Sequence, residues 1–488
     1  MINDTLGPVR DPNALRSNAA ERIAFLVDAA DYFAAVESAM QQATNEIFII
    51  AWDFNPDIKL RPQDSCCPTL GDFLSDCVRK NPSLNVRILV WALGPIYCGK
   101  SLELMIGRRW PKDPAIELRF DFSKTIRGSH HQKLVVIDGH TAFVGGIDLT
   151  ARRWDTSAHD AYNPHRITPD GDMYEPVHDI QCVFDGEAAR AAHEIARQRW
   201  MDATGDTIGS PNACSPVWPE AVLPQFLQSR LTLSRSVKSS KESDLTESVG
   251  LTLDLLARAR KHIYIESQYF ASSTVCNLLC ERLGEPEGPE VIILTTSACH
   301  GYFERRVLGE NRDRLVRKLM QHDMYHRLRA RYPVVRAQDG KTQEILVHSK
   351  LIIIDDVAMR VGSSNLNQRS ENIDSELDVS IWAKNDRERT TIALFRNGLL
   401  AEHLGVTSQR INTEIAQRGL CETIDTSQGN KRSLEVFTGA LGEGKTELVR
   451  GTGFVDPRCA WWPLQYPVFW LRKHVHRLIP GAASFSHR

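Results

Sequence analysis

His131-Gln-Lys133-Leu-Val-Val-Ile-Asp138 recurs, 217 residues further on, as His348-Ser-Lys350-Leu-Ile-Ile-Ile-Asp355. Each copy sets a histidine and a lysine two positions apart, with an aspartate five beyond the lysine. Side chains alternate along a strand, so the histidine and lysine of each copy share a face. The four apolar residues that follow read as a buried strand closed by the aspartate. The repetition reaches outward from the motif. Gly145, Gly146 and Asp148 follow the first copy at the offsets at which Gly362, Ser363 and Asn365 follow the second. Upstream, Ile47-Phe-Ile-Ile-Ala-Trp-Asp-Phe54 matches Ile263-Tyr-Ile-Glu-Ser-Gln-Tyr-Phe270 at a separation of 216, one residue out of register with the motifs. Solenoid repeats run to about 20–50 residues, so this period signifies a duplicated domain.

The two motifs resemble the HxKxxxxD signature of the phospholipase D superfamily. Ser129-His-His-Gln-Lys133 is similar to the family's SHHQK form, and Ile263 to Phe270 to its IYIENQYF-like element, with Ser267 where asparagine is usual. Arg153-Trp-Asp-Thr156 with His159 resembles its R(W/Y)DTxxH element, and Val361 to Ser370 the stretch after its second motif. Together these span roughly residues 30–405. The resemblance implies two similar α/β/α sandwich halves related by a pseudo-twofold axis.

Periodicity along the chain agrees with that class. In the first half, a helix is expected near 30–44, strands near 46–52, 87–91, 116–121, 132–138 and 141–145, and a helix near 186–201. The second half repeats the order: helix 247–260, strands 262–267, 290–296, 349–355, 358–362 and 377–383, and helix 386–403. Helices alternating with strands imply layered α/β architecture. The expected division is residues 1–215 for the first half, 216–245 for a polar connection, 246–410 for the second half and 411–488 for a C-terminal tail. The stretch 301–331 reads as a long basic helix, either a solvated face or a contact for anionic headgroups. The tail carries Ala460-Trp-Trp-Pro-Leu-Gln-Tyr-Pro-Val-Phe-Trp-Leu-Arg-Lys-His474, suited to packing on the halves or to a membrane interface.

Bulk properties narrow the function. A net charge of −2 argues against a dedicated nucleic-acid binder, and no nucleic acid is expected as partner. No run of 18 apolar residues suggests a spanning helix, and Met1 to Arg16 lacks the pattern of a Sec signal peptide. The eleven cysteines are odd in number and form no CxxC pair, which suits reduced thiols and gives no structural zinc site. The expected location is cytoplasmic or peripheral to a membrane, and Sec-independent export is compatible with it.

Cleaving a phosphodiester by double displacement needs two histidines, one to attack phosphorus and one to serve as acid and then base. His131 and His348 are the candidates, and by resemblance His131 is the nucleophile. Lys133, Lys350 and Asn365 are expected to hold the phosphate oxygens, so no metal and no cofactor is needed. Gly145, Gly146 and Gly362 are expected to let the backbone approach the phosphate. Asp138 and Asp355 complete the two motifs and are counted with the catalytic residues, as organisers of the domain interface rather than as phosphate contacts. Asp148 and Ser363 read as supporting residues. A carboxylate must orient each histidine. Glu376, 28 residues after His348, is the one the resemblance implies, and Asp179 is its counterpart in the first half. His130 faces away and reads as structural, while Glu266 on an apolar strand requires a partner. The resemblance implies a monomeric phospholipase D acting on glycerophospholipids at a membrane surface. A cardiolipin-synthase-like transferase, a nucleic-acid phosphodiesterase and a non-catalytic lipid-binding scaffold are the rivals.

Overall fold

The computed structural model describes residues 16–92, 113–122, 128–209, 216–238, 244–297, 309–439 and 456. The first half comprises β1 (Arg16–Val27), α1 (Asp28–Gln41), β2 (Glu46–Ala51), α2 (Leu70–Lys80), β3 (Asn85–Trp91), β4 (Ile116–Asp121), β5 (Leu134–Ile137), β6 (Thr141–Gly145), β7 (Val177–His178), β8 (Ile180–Asp185) and α3 (Glu187–Thr204). The second half opens with β9 (Phe226–Val237), β10 (Leu245–Thr246), α4 (Glu247–Arg258), β11 (His262–Ser267), α5 (Ser273–Gly284), β12 (Glu290–Leu294) and α6 (Glu310–His322). It continues through β13 (Leu328–Arg336), β14 (Thr342–Glu344), β15 (Leu346–Val347), β16 (Lys350–Ile354), β17 (Ala358–Gly362), α7 (Gln368–Asn372), β18 (Glu376–Trp382) and α8 (Asp386–Leu404). Two helices, α9 (Ser408–Arg418) and α10 (Leu420–Thr426), and a strand, β19 (Arg432–Val436), follow.

The two sheets have the same order. The first runs β4-β3-β2-β5-β6-β8-β1 and the second β13-β12-β11-β16-β17-β18-β9. Only the β2–β3–β4 and β11–β12–β13 ladders are parallel within them. The sheets join where β1 and β9, each 12 residues long, run antiparallel from Arg16↔Leu233 to Ile23↔Phe226. Each long strand spends one end on this seam and the other in its own sheet, against β8 or β18.

The motif strands β5 and β16 are buried along their whole length, as their unbroken apolar runs require. Their alternation sorts side chains between two cores. Leu134, Val136, Leu351 and Ile353 point into a core shared by the halves, to which α3 and α8 contribute Ala192, Ile195, Leu399 and Leu404. Val135 and Ile137 face the outer core under α1 and α2, and Ile352 and Ile354 face the outer core under α4 and α5. Burying an aliphatic side chain stabilises by about 1.5–3 kcal/mol, so these layers dominate the fold.

Three sequence expectations change. The polar connection 216–245 contains β9, a central strand; Ser234 and Ser236 are buried in it because β18 pairs alongside. The basic stretch 301–331 is not one helix. Its described part is α6 and then the start of β13, with Arg312 fully buried over the Phe437 ring and Arg331 paired with Asp425 at 2.6 Å. The expectation for the tail narrows to the first of its two alternatives over 411–436, which packs on the halves: β19 pairs with β13, and Leu420 and Ile424 enter the shared core. The aromatic-basic stretch 460–474 lies outside the described residues. Strand β1, which the sequence reading passed over, completes the pseudo-twofold.

Gly145, Gly146 and Gly362 make room for neighbouring protein, not for a ligand. A Cβ on Gly362 would lie 1.9 Å from Asp378 Oδ1 and 2.5 Å from its Cα. On Gly146 it would meet Asp179 Oδ1 at 2.2 Å, and on Gly145 the Ile180 carbonyl at 2.5 Å. Gly362→Ala is therefore expected to destabilise by about 1–3 kcal/mol or more through overpacking against backbone. Gly398→Ala, on α8 with nothing within 4 Å, should be neutral or stabilise by about 0.5–1 kcal/mol. Urea unfolding of the two variants checks this; equal midpoints would refute the steric account.

Candidate active site

Each motif histidine sits on a short segment that pairs, in parallel, with the other half. His130 bridges to Ser375, Ser129 N donates to Asp374 Oδ1, and His131 N donates to the Ser375 carbonyl at 2.9 Å. Gln132 Nε2 adds a bond to the Glu376 carbonyl. On the opposite side, β15 pairs with β7, and His348 N donates to the His178 carbonyl at 2.8 Å. These symmetric ladders carry the orienting carboxylates across the interface. Glu376, from the second half, lies 3.0 and 3.1 Å from Nδ1 of His131. Asp179, from the first half, lies 2.6 Å from Nδ1 of His348. The pairing is crossed, a fact no spacing along the chain states. In both rings it leaves Nε2 as the nitrogen turned away from the carboxylate.

The lysines sit beside their histidines. Lys133 Nζ donates to the His131 carbonyl at 2.8 Å, lies 3.4 Å from Asp148 Oδ2, and faces the Trp52 ring at 5.9 Å. Lys350 Nζ donates to the His348 carbonyl and lies 3.2 Å from His348 Nδ1. The site is nearly dry, with the His131 side chain 15% exposed and His348 9%. Burial and then the adjacent lysine hold each imidazole well below its usual value, Lys133 for His131 and Lys350 for His348. Burial brings Lys350 down to about 8 and pushes Asp179 up to about 6. It also pushes Glu376 up to about 8, with the Asp374 charge adding to the effect. Lys133 and Lys350 both act on both histidines, so the four groups form one electrostatic unit.

The supporting residues fall into two kinds. Ser363 and Ser370 hydroxyls donate to the two oxygens of Glu376, and Asn365 N donates to Ser370 Oγ at 3.1 Å. Asp148 accepts from Trp52 N at 3.0 Å. Ser370, Trp52 and Arg153, whose charge adds to that of Lys350 in depressing His348, were not read as site residues. Ser370 follows the second motif within the family-like stretch, and Trp52 lies inside the repeated upstream block, so each carried a signal. Trp52 packs its edge against His131 and stacks on Trp91.

Asp138 and Asp355 are elsewhere. They lie at the far end of the motif strands, about 16 Å from the lysines at about 3.3 Å per residue. They are neither at the phosphate position nor at the interface between halves. Asp138 accepts from Thr44 N, Thr44 Oγ1, Asn45 N and Glu46 N, and Asp355 from Arg260, Lys261 and His262 N, in each case gathering the turn between the first helix and the following strand of its own half. Both adopt positive φ, 53° and 51°. His130 is buried beside Asp121 at 3.2 Å, as a structural residue would be. Glu266 has the partners it requires: Tyr264, Ser349, His178 and His403.

Two crossed imidazole–carboxylate pairs, each with its lysine, thus meet between two like halves of a duplicated α/β scaffold. Comparison with known proteins makes this specific. A family model described as phospholipase D matches residues 104–214, and one described as cardiolipin synthase, PLD-like domain, matches 252–395. The chain belongs to the phospholipase D superfamily. It is 26% identical to phospholipase D A of Dictyostelium discoideum, over 78% of this chain and 35% of that protein. It is 25% identical to phospholipase D1 of Schizosaccharomyces pombe, over 83% and 36%. Cardiolipin synthase of Halalkalibacterium halodurans is 23% identical over 73% of this chain and 62% of that one. The chain thus spans about a third of the length of these phospholipases D. Phosphatidylserine synthase of Haemophilus influenzae Rd KW20 superposes with a TM-score of 0.53 at 15% identity, covering 86% of this chain and 97% of that one, which shows the fold. No helix among the described residues is long and apolar enough to cross a membrane.

Two outcomes test this geometry. Asp138→Ala should cost roughly 3 kcal/mol of stability, since several charge-assisted bonds are lost together, while the folded fraction keeps its turnover. Turnover per folded molecule reduced a hundredfold would place Asp138 in the chemistry after all. The second concerns Glu376. A carboxyl raised from 4.5 to about 8 on folding contributes stability below its unfolded value and loses it as pH rises through about 8. Glu376→Gln should therefore raise Tm relative to the parent protein above pH 8 and show a smaller gain or a loss near pH 4. A difference in Tm that does not vary with pH would contradict the buried-carboxylate account.

Proposed function

We propose that this protein is a phospholipase D that hydrolyses glycerophospholipids to phosphatidic acid and a free headgroup alcohol. The observation that carries the reading is the crossed pair of imidazole–carboxylate contacts, because each histidine is oriented only when both halves are assembled around one site. In this reading His131 Nε2 attacks phosphorus and the bond to the headgroup oxygen breaks as His348 Nε2 gives it a proton. Water, deprotonated by His348, then attacks the phosphohistidine, the P–N bond breaks, and phosphatidic acid leaves. Glu376 and Asp179 fix the Nδ1–H tautomers and stabilise the cations that form. Lys133, Lys350 and Asn365 neutralise and hydrogen-bond the phosphate oxygens. The lysines depress both imidazoles in the free protein. A bound phosphodiester anion offsets that push and lets His348 carry the proton it must donate.

The same phosphohistidine can be intercepted by another alcohol, so transphosphatidylation belongs to this reading. So does a monomer of two such halves, the second opening with β9, acting at a membrane surface. The specific alternative is a cardiolipin-synthase-like transfer to a lipid alcohol, favoured by the match over residues 252–395.

Mass spectrometry of products from mixed phospholipid vesicles, with and without ethanol, separates these readings. Phosphatidic acid, joined by phosphatidylethanol when ethanol is present, is expected. Cardiolipin as the main product would establish the transferase. His131→Ala and His348→Ala should each lower turnover by about 10³-fold or more, as for other nucleophile–base pairs. More than about a tenth of the parent activity in either folded variant would end the shared-site mechanism.

A further inference from the structure

Behind His348 lies a second cluster of titratable groups that the chemistry above does not use. Four buried or nearly buried side chains converge there: Asp28 at the start of α1, His159, His178 in β7, and Glu402 on α8. Each offers one nitrogen or carboxylate oxygen, and these four atoms lie within 4.8 Å of one another. His159 Nε2 is 3.4 Å from Asp28 Oδ2 and 3.2 Å from Glu402 Oε1. His178 Nδ1 is 3.0 Å from Asp28 Oδ1 and 3.2 Å from Glu402 Oε1. Ligands about 2.0–2.1 Å from a tetrahedral ion stand about 3.3–3.4 Å apart, and the four contacts above lie near that spacing, with Asp28 turning a different oxygen to each ring.

We propose that these four residues form a tetrahedral zinc site that ties the first half to helix α8 of the second. The chain contributes Asp28, His159 and His178 from one half and Glu402 from the other, so the ion would bridge the same interface that the catalytic carboxylates cross.

Three further observations point to a ligand rather than to a self-sufficient network. First, Asp28 Oδ2 and His178 Nδ1 are buried and meet the other members of the cluster only at ion-pair distance, with no well-aligned hydrogen bond to satisfy either atom. A buried polar atom left so costs about 1–3 kcal/mol unless something else satisfies it. Second, each histidine turns its other nitrogen to a carboxylate: His159 Nδ1 to Asp155 at 2.9 Å, and His178 Nε2 to Glu266 at 3.0 Å. That is the carboxylate–histidine arrangement that fixes metal-ligand tautomers. Asp155 is in turn held by Arg166 and Val177 N, and Glu266 by Tyr264 and Ser349. Third, Asp28 and His159 both adopt positive φ, 65° and 44°, a conformation that non-glycine residues seldom hold without a compensating interaction.

The donor set selects the ion. Two imidazoles and two carboxylates in a closed tetrahedron suit zinc, and with both rings neutral the occupied site carries no net charge. The sequence reading found no metal-ligand cluster because these residues are scattered over 375 positions, with no local spacing to betray them. The site stands apart from the phosphate. His178 passes its carbonyl to His348 N, and the next residue, Asp179, holds the His348 ring. Zinc here would position the acid–base histidine, not enter the reaction.

The competing account is a proton-held network, in which two imidazolium rings take the place of the ion. The full chain, purified without chelators and dialysed against metal-free buffer, should retain about one zinc per molecule by plasma mass spectrometry. After stripping with a strong chelator, added Zn²⁺ should raise Tm, and Co²⁺ should give the visible bands of a tetrahedral ion without thiolate charge transfer. Glu402→Gln and His159→Asn should abolish retention and the Tm response. If His159→Asn does not fold, Glu402→Gln, altered at the one ligand with measurable exposure, still decides. No retained zinc together with no Tm response and no cobalt bands would leave the proton network as the answer. Zinc retained undiminished by Glu402→Gln, or thiolate bands, would place the ion elsewhere and overturn the proposal.

Discussion

The contact of Glu376 with His131, mirrored by that of Asp179 with His348, is the constraint on which the rest depends. An imidazole that is to attack or to donate must keep one nitrogen committed and the other available. Here the committing group always comes from the opposite half. The halves must therefore meet in one register, and the structure supplies that register several times over. Parallel backbone bridges tie 129–131 to 374–376 and 346–348 to 176–178. The β1–β9 seam then fixes the axis between them.

Burying so many charges would be destabilising without compensation. Isolated buried ions are costly, and a group can escape the cost by shifting its protonation. The site shows both responses. Glu376 receives two serine hydroxyls, and Lys350 gives up part of its basicity to burial. The glycines after each motif serve the same end. Gly146 lets Asp179 reach its histidine, and Gly362 lets Asp378 reach Ser364 and Arg360, so the absent side chains create space for carboxylates rather than for substrate.

Much of the fold could be read from the chain because the duplication showed itself as repeated residues. The motif strands, their neighbours and the helices α1, α4 and α8 lie within a few residues of expectation. What stayed hidden was whatever depends on pairing over long separations. Strand β9 is polar enough to pass for a connection, since its serines are covered only once β18 pairs alongside. The roles of Asp138 and Asp355 were misread because position within a motif does not say which end of a strand faces the ligand. The crossed assignment of Glu376 and Asp179 was invisible for the same reason: similarity between halves identifies equivalent residues, not the partners they meet.

The β1–β9 seam carries a consequence for how the chain is made. Strand β1 needs a neighbour on its outer edge, and that neighbour is about 200 residues away. During synthesis at roughly 5–20 residues per second, β1 waits about 10–40 seconds for β9, of which only the last few seconds follow the completion of α3. An open edge strand invites pairing with other chains. Two first halves could then pair through β1 before either second half exists, a misassembly that the pseudo-symmetry itself makes available.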